Sequence, residues 1–126
     1  MKSRFLISAI LLLITTSCYE ELGPDIACDV QNPTENLPWL ADKIRGLETG
    51  NQYFLQFYFI SQARYRSQTV FFVQNCCPNC ASPYPTVYNC GGEEIGTLSS
   101  EDIKYDKLKN LSIIWTPEDF SCNVNN

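Results

Sequence analysis

The chain has 126 residues, 44% hydrophobic and 18% charged, a balance that suits one globular core and excludes both a disordered tail and a multidomain enzyme. Fourteen acidic side chains stand against nine basic ones, for a net charge of −5, and histidine is absent. That removes imidazole bases, imidazole metal ligands and histidine pH switches, and with them most hydrolase chemistry.

Met1-Lys2-Ser3-Arg4 places two positive charges ahead of a largely apolar run over residues 5–14. A membrane helix needs about 20 apolar residues, so this shorter stretch reads as a secretory signal that is removed on export. Thr15-Thr16-Ser17 then lead into Cys18. A cysteine directly after an apolar region and small residues resembles the lipobox of bacterial lipoproteins. The resemblance implies a diacylglycerol on the Cys18 thiol, cleavage between Ser17 and Cys18, and acylation of the new amino terminus. The alternative, an ordinary signal peptide, leaves an odd cysteine in an oxidising compartment. Two or more acyl chains make anchoring stable, because each buried methylene contributes about 0.8 kcal/mol. The Glu20-Glu21 pair behind Cys18 also resembles the surface-export signals of Bacteroidota lipoproteins, and Gly23-Pro24 suits a short linker. The expected organisation is a signal peptide over 1–17, a lipidated linker over 18–27, a disulfide-stabilised domain over 28–122 and a tail over 123–126.

Loss of Lys2 and Arg4 on processing leaves seven basic against fourteen acidic residues, a mature charge of −7. Nucleic acid is excluded as a partner, since phosphate backbones are met by clustered Lys and Arg. Here the cations are scattered as Lys43 with Arg45, Arg64 with Arg66, and Lys104, Lys107 and Lys109, which reads as solvated surface.

Within the domain, Asn36-Leu37-Pro38 predicts a helix start, with Asn36 as N-cap and Pro38 in the first turn, where a missing N–H costs nothing. Leu37, Leu40, Ala41, Ile44 and Leu47 then recur at helical spacing as far as about Thr49, and Gly50 supplies a stop. The period changes to two over residues 53–60, an aromatic and branched run that predicts a strand covered on both faces. Residues 69–74 predict a second strand paired with the first across a polar turn at 66–68. Residues 85–89 and 94–98 flank Cys90-Gly91-Gly92-Glu93 as a hairpin whose glycines permit positive φ. A short helical turn is expected within 100–108, and a last strand over 111–116 is closed by Pro117. The sum is an α+β fold: a single small domain with an N-terminal amphipathic helix packed on an antiparallel sheet of about five strands.

With Cys18 set aside, Cys28, Cys76, Cys77, Cys80, Cys90 and Cys122 form an even set in an exported chain, and disulfides are the expected use. Six cysteines allow fifteen connectivities and sequence does not choose among them. A Cys28–Cys122 bridge tying both ends of the domain is expected, worth about 4 kcal/mol in the chain-entropy model. Neighbours in a strand point to opposite faces, so Cys76 and Cys77 should take different partners, one in a short bridge within the loop and one reaching Cys90.

Two functional readings compete for the same sulfurs. Cys77-Pro78-Asn79-Cys80 has the spacing of thiol oxidoreductase motifs, but the prolines at 83 and 85 argue against the helix whose N-terminus activates such a thiolate. A zinc site from Cys76, Cys77, Cys80 and Cys90 would need adjacent cysteines to ligate one ion in an oxidising compartment. The carboxylates Glu93, Glu94, Glu101, Asp102 and Asp106 lack the alternating calcium-loop pattern and no spacing brings a catalytic pair together. No catalytic residue, cofactor or metal is therefore expected. The aromatic residues serve mainly as core, with Tyr58, Tyr84 and Tyr88 as candidates for an exposed recognition face.

Cys28-Asp29-Val30-Gln31-Asn32-Pro33, Glu35-Asn36-Leu37-Pro38-Trp39-Leu40, Cys76-Cys77 at a strand end, Val87-Tyr88-Asn89-Cys90-Gly91-Gly92 and a closing cysteine together resemble small Bacteroidota lipoproteins of uncharacterised function. The resemblance covers about residues 28–122 and implies location and architecture, with no activity attached. The expected function is a lipid-anchored cell-envelope protein, non-enzymatic, acting as a binding or structural module. It would sit in the bacterial envelope, at the outer membrane, held through the lipid on Cys18 and partnered by an envelope protein or a glycan. The alternative is a thiol–disulfide redox protein using Cys77 and Cys80.

Overall fold

A computed structural model describes residues 26–124 of the chain. The expected signal peptide, the expected lipidation site Cys18 and the expected linker as far as Asp25 lie outside the described residues.

A two-residue ribbon opens the domain, β1 (Ile26–Ala27) pairing antiparallel with β2 (Val30–Gln31), so regular pairing begins two residues ahead of Cys28. The turn between them holds Cys28 and Asp29 at positive φ. A single helical turn, α1 (Pro33–Asn36), precedes the main helix α2 (Pro38–Glu48). Asn36 is not the N-cap. Leu37 occupies that position in an extended conformation without a side-chain cap, while the Asn36 amide donates instead to the Gln31 carbonyl. Burial decides this: Leu37 at the cap is itself core, and the Leu37 carbonyl still accepts from the Leu40 and Ala41 N–H groups. The expected stripe is otherwise seen, with Leu37, Leu40 and Ile44 buried against the sheet and each contributing about 1.5–3 kcal/mol.

The aromatic run after Gly50 does not start a strand at Tyr53. Residues Gln52–Leu55 form a helical turn, α3, capped by Asn51, whose side chain accepts from the Tyr53 N–H at 3.0 Å. Asn51 thus offers the backbone a local partner that competes with sheet pairing. The strand β3 (Tyr58–Tyr65) begins five residues late and pairs along its whole length with β4 (Gln68–Asn75). Arg66 and Ser67 join them at φ of 48° and 64°, the doubly left-handed turn whose twist matches a tight hairpin. A second hairpin, β5 (Thr86–Tyr88) and β6 (Glu94–Thr97), adds to β4, and β7 (Lys109–Trp115) adds to the other side of β3. The result is an antiparallel sheet of five strands in the order β6-β5-β4-β3-β7, preceded by short helices: a small α+β domain with three disulfides.

Strand alternation divides the core. Ile60, Phe71 and Val73 face α2 and pack with Leu37, Leu40, Ile44 and Ala27. Ala63, Val70, Phe72 and Val87 face the other way, where Leu98 and Ile103 cover them. Residues 98–108 therefore act as the second lid of the sheet as the chain crosses from edge strand β6 to edge strand β7. The only regular helix within the crossing is one 3-10 turn, Tyr105–Lys107. The Asp102 carboxylate ties the crossing down by accepting from the Thr97 N–H at 2.7 Å. At the far edge, register shifts and the positive φ of Asn110 bend β7, a device that discourages pairing with another chain.

Gly92 is the glycine whose conformation the fold demands. It has φ of 78°, and a Cβ there would lie 2.7 Å from Cγ of Trp39. Gly92→Ala is expected to cost about 2–4 kcal/mol, from the left-handed backbone and the overpacked ring together. Denaturant melts that also follow Trp39 fluorescence check this, and an unchanged midpoint would show that the ring is not seated there.

Candidate functional site

The three disulfides account for six cysteines and correct two expected pairings. Cys28 is bonded to Cys90, Cys76 to Cys122, and Cys77 to Cys80, with Cα separations of 5.6, 5.9 and 5.4 Å that suit a bridge. Cys76 and Cys77 do take different partners and the short loop bridge is present. The Cys28–Cys122 bridge is not, and Cys90 is reached by Cys28 rather than from the loop. Topology is the reason. β7 runs antiparallel to β3 and ends with Trp115 beside Ile60, near the strand end where Tyr58 faces Asn75. The tail beyond it is thus delivered to Cys76, where the Ser121 N–H donates to the Gln56 carbonyl at 2.9 Å and Phe120 meets Phe59 edge-on. Cys28 lies instead by the start of α2, next to the β5–β6 turn.

That turn is organised by side chains. Asn89 Oδ1 accepts from the N–H groups of Gly91 and Glu93, both at 3.0 Å, and the Trp39 indole N–H donates to the Cys90 carbonyl at 2.9 Å. Trp39 also meets Phe71 edge-on and Tyr88 at a tilt, each with ring centroids 5.6 Å apart. One turn further along α2, Lys43 Nζ donates to the Tyr88 hydroxyl at 3.1 Å and lies 4.3 Å from the ring centroid. Lys43 is therefore not the freely solvated cation expected beside Arg45. Arg45 is, since its ion pair with Asp42 is exposed on both sides and contributes little.

Tyr88 forms one end of a groove of about 440 Å³ on the α2 side of the sheet. Its floor is Tyr58, Val73 and Asn75, which alternation places on that face. One wall is the second half of α2, with Lys43, Gly46 and Leu47, and the other is the loop of residues 82–86, with Pro83, Tyr84 and Pro85. The groove thus gathers Tyr58, Tyr84 and Tyr88. Tyr84 is 69% exposed, among the large rings that the fold leaves at the surface. Lys43 is the one formally charged side chain among the lining residues, and among the described residues no Asp or Glu lines the groove.

Gly46 is the groove residue that sequence reading passed over. A glycine inside a helix costs about 1 kcal/mol relative to alanine, and a Cβ at Gly46 would meet nothing within 4 Å. The helix wall is bare backbone there, although the chain itself needs no such space. A helical glycine not required by any packing neighbour was the available signal.

Other hollows converge less. One of about 670 Å³ lies between α3 and the 117–121 tail, but Gln56 and Ser121 spend their side chains on each other and Phe120 is packed on Phe59. One of about 370 Å³ is lined by Arg66, Lys104 and Lys107, all exposed, with Asp102 already bonded to Thr97.

Glu93, Glu94, Glu101, Asp102 and Asp106 are exposed, and among the described residues no group of three or more Cys, Asp or Glu is placed to hold a metal ion. No helix of the described residues is long and apolar enough to cross a membrane. The disulfides point to an oxidising, extracytoplasmic environment. No protein-family model, curated protein or solved structure matches the chain.

Proposed function

We propose that this protein is a lipid-anchored cell-envelope binding domain that holds its ligand in the Tyr58–Tyr84–Tyr88 groove and performs no chemistry on it. The observation that carries the reading is the groove itself: three phenol rings from three different elements around a space that Gly46 leaves open. Its volume falls in the range of small-molecule sites, and rings with a few polar groups are the usual lining of such sites. The lipobox resemblance at Cys18 supports the anchor, and location at the bacterial outer membrane is part of the proposal. The resemblance to uncharacterised Bacteroidota lipoproteins is part of the same proposal. The thiol–disulfide alternative has less support. Residues 76–85 contain no helix, so a Cys77 thiolate lacks the helix N-terminus that lowers thiol pKa values in exchange enzymes.

Two measurements test the proposal. Intact mass spectrometry of protein purified from its cells is expected to show acylated Cys18 and no free thiol before reduction. Unmodified, reduced chain would overturn the anchored reading. For the groove, membrane-stripped envelope polymers are expected to co-sediment with the oxidised protein and to lose about tenfold in apparent affinity for Gly46→Trp, a substitution that fills the groove from an exposed helix position. Equal sedimentation of the two would overturn the groove as the binding site.

A further inference from the structure

We infer that the groove takes an oligosaccharide carrying one carboxylated sugar, a uronic acid within an otherwise neutral chain. The inference rests on the groove being the binding site and adds the class of ligand. Lys43 supplies a cation with further N–H donors beyond the one given to Tyr88. The amide of Asn75 gives its oxygen to the Cys77 N–H at 2.7 Å and keeps its NH2 as a donor. With no carboxylate along the lining, the site is rich in donors and poor in strong acceptors, and it selects a ligand rich in acceptor oxygens.

The rings supply the second half of the recognition. A pyranose has an apolar C–H face that lies flat on a phenol, and Tyr84 offers an exposed ring in the groove that Gly46 also lines. At Gly46 the helix wall offers no side chain, and a Cβ there would meet nothing within 4 Å. The charge of the whole domain sets the number of carboxylates. The domain is acidic overall and Lys43 is the one cation of the groove, so one carboxylate is accommodated there and a run of them is not.

A peptide fits less well. Added strands bind through a ladder of main-chain hydrogen bonds, but β4 continues only over residues 73–75 past its last pair with β5, Phe72 with Val87. The opposite wall has prolines at 83 and 85, which lack the N–H such a ladder needs.

The test is calorimetric titration of the purified, oxidised protein with three probes: glucuronosyl-xylobiose, xylotriose and the peptide Pro-Glu-Pro. The acidic trisaccharide is expected to bind at least about tenfold more tightly than either of the others. Lys43→Met should remove that advantage, bringing the acidic trisaccharide down to the affinity of xylotriose for the same variant, and Tyr84→Ala, in an exposed loop, should weaken both sugars by about fivefold. Circular dichroism and thiol counts confirm that each variant is folded and oxidised. Equal affinity for xylotriose and glucuronosyl-xylobiose, tighter binding of the peptide, or indifference to Lys43→Met would overturn the inference. If no probe binds while envelope sedimentation still depends on Gly46, the ligand class is wrong and the binding site stands. If sedimentation is also indifferent to Gly46→Trp, the proposed function falls with it.

Discussion

Leu40→Asp is expected to abolish cooperative folding. Leu40 is 1% exposed and lies in the cluster with Ile44, Ile60 and Phe71, between α2 and the sheet. Truncation of a buried leucine alone costs about 2–5 kcal/mol. A carboxylate at that place adds desolvation with no cation within the apolar cluster to offset it, and the total is comparable with the whole stability of a domain this size, about 5–15 kcal/mol. The chain cannot evade the cost by rotating the helix, because Trp39 is held to the Cys90 carbonyl and Lys43 to Tyr88. Thermal melts by far-ultraviolet circular dichroism should show no cooperative transition. Leu111→Asp, on the exposed outer strand β7, should leave the melt within a few degrees of the parent. A normal transition for Leu40→Asp would mean that α2 does not pack as described.

Removal of the Cys28–Cys90 bridge, with both residues replaced by alanine, is expected to cost about 4 kcal/mol. The bridge spans 62 residues, and the loop-closure entropy it removes from the unfolded chain grows with that span. It also fixes the first ribbon to the β5–β6 turn, against which Trp39 is seated. For a domain of about a hundred residues the loss corresponds to a fall in Tm of about 15–30 °C. The equivalent change at Cys77 and Cys80, which are three residues apart, closes little chain and should cost about 2 kcal/mol or less. Differential scanning calorimetry on the two variants makes the comparison. A larger loss from the Cys77–Cys80 pair would contradict the entropic account of how this fold is held.

The groove has a different dependence on these bridges. Cys77–Cys80 shapes the start of the loop that continues into residues 82–86, so its removal bears on the wall carrying Tyr84 more than on global stability. The main sheet, by contrast, is tied at both ends of its long axis. Cys76–Cys122 closes the end where Tyr58 faces Asn75, and Cys28–Cys90 closes the turn beyond Tyr88.

Local pattern was sufficient wherever one physical preference dominated a segment. The Leu37, Leu40, Ile44 stripe declared a helix because only a 3.6-residue period places those side chains together, and α2 follows it from Pro38 to Glu48. The glycine-containing turn between β5 and β6 was legible for the same reason. The aromatic alternation of residues 53–57 resembles a strand, but capping by Asn51 closes a helical turn over Gln52–Leu55. Tyr58, Tyr84 and Tyr88 were singled out as candidates for an exposed face, but their convergence, and the parts of Lys43 and Gly46 in the groove, belong to residues far apart in the chain.

The class of fold, the amphipathic helix, the even set of six cysteines and the different fates of Cys76 and Cys77 are all legible in short stretches of chain. These depend on periodicity and on the alternation of neighbours, which are properties of contiguous residues. The meeting of Cys28 with Cys90, of Cys122 with Cys76, and of three tyrosines and Gly46 in one groove comes from long-range packing. Those outcomes depend on β7 joining β3 and on which end of the sheet each connection reaches, and strand order is set by the packing of the whole chain.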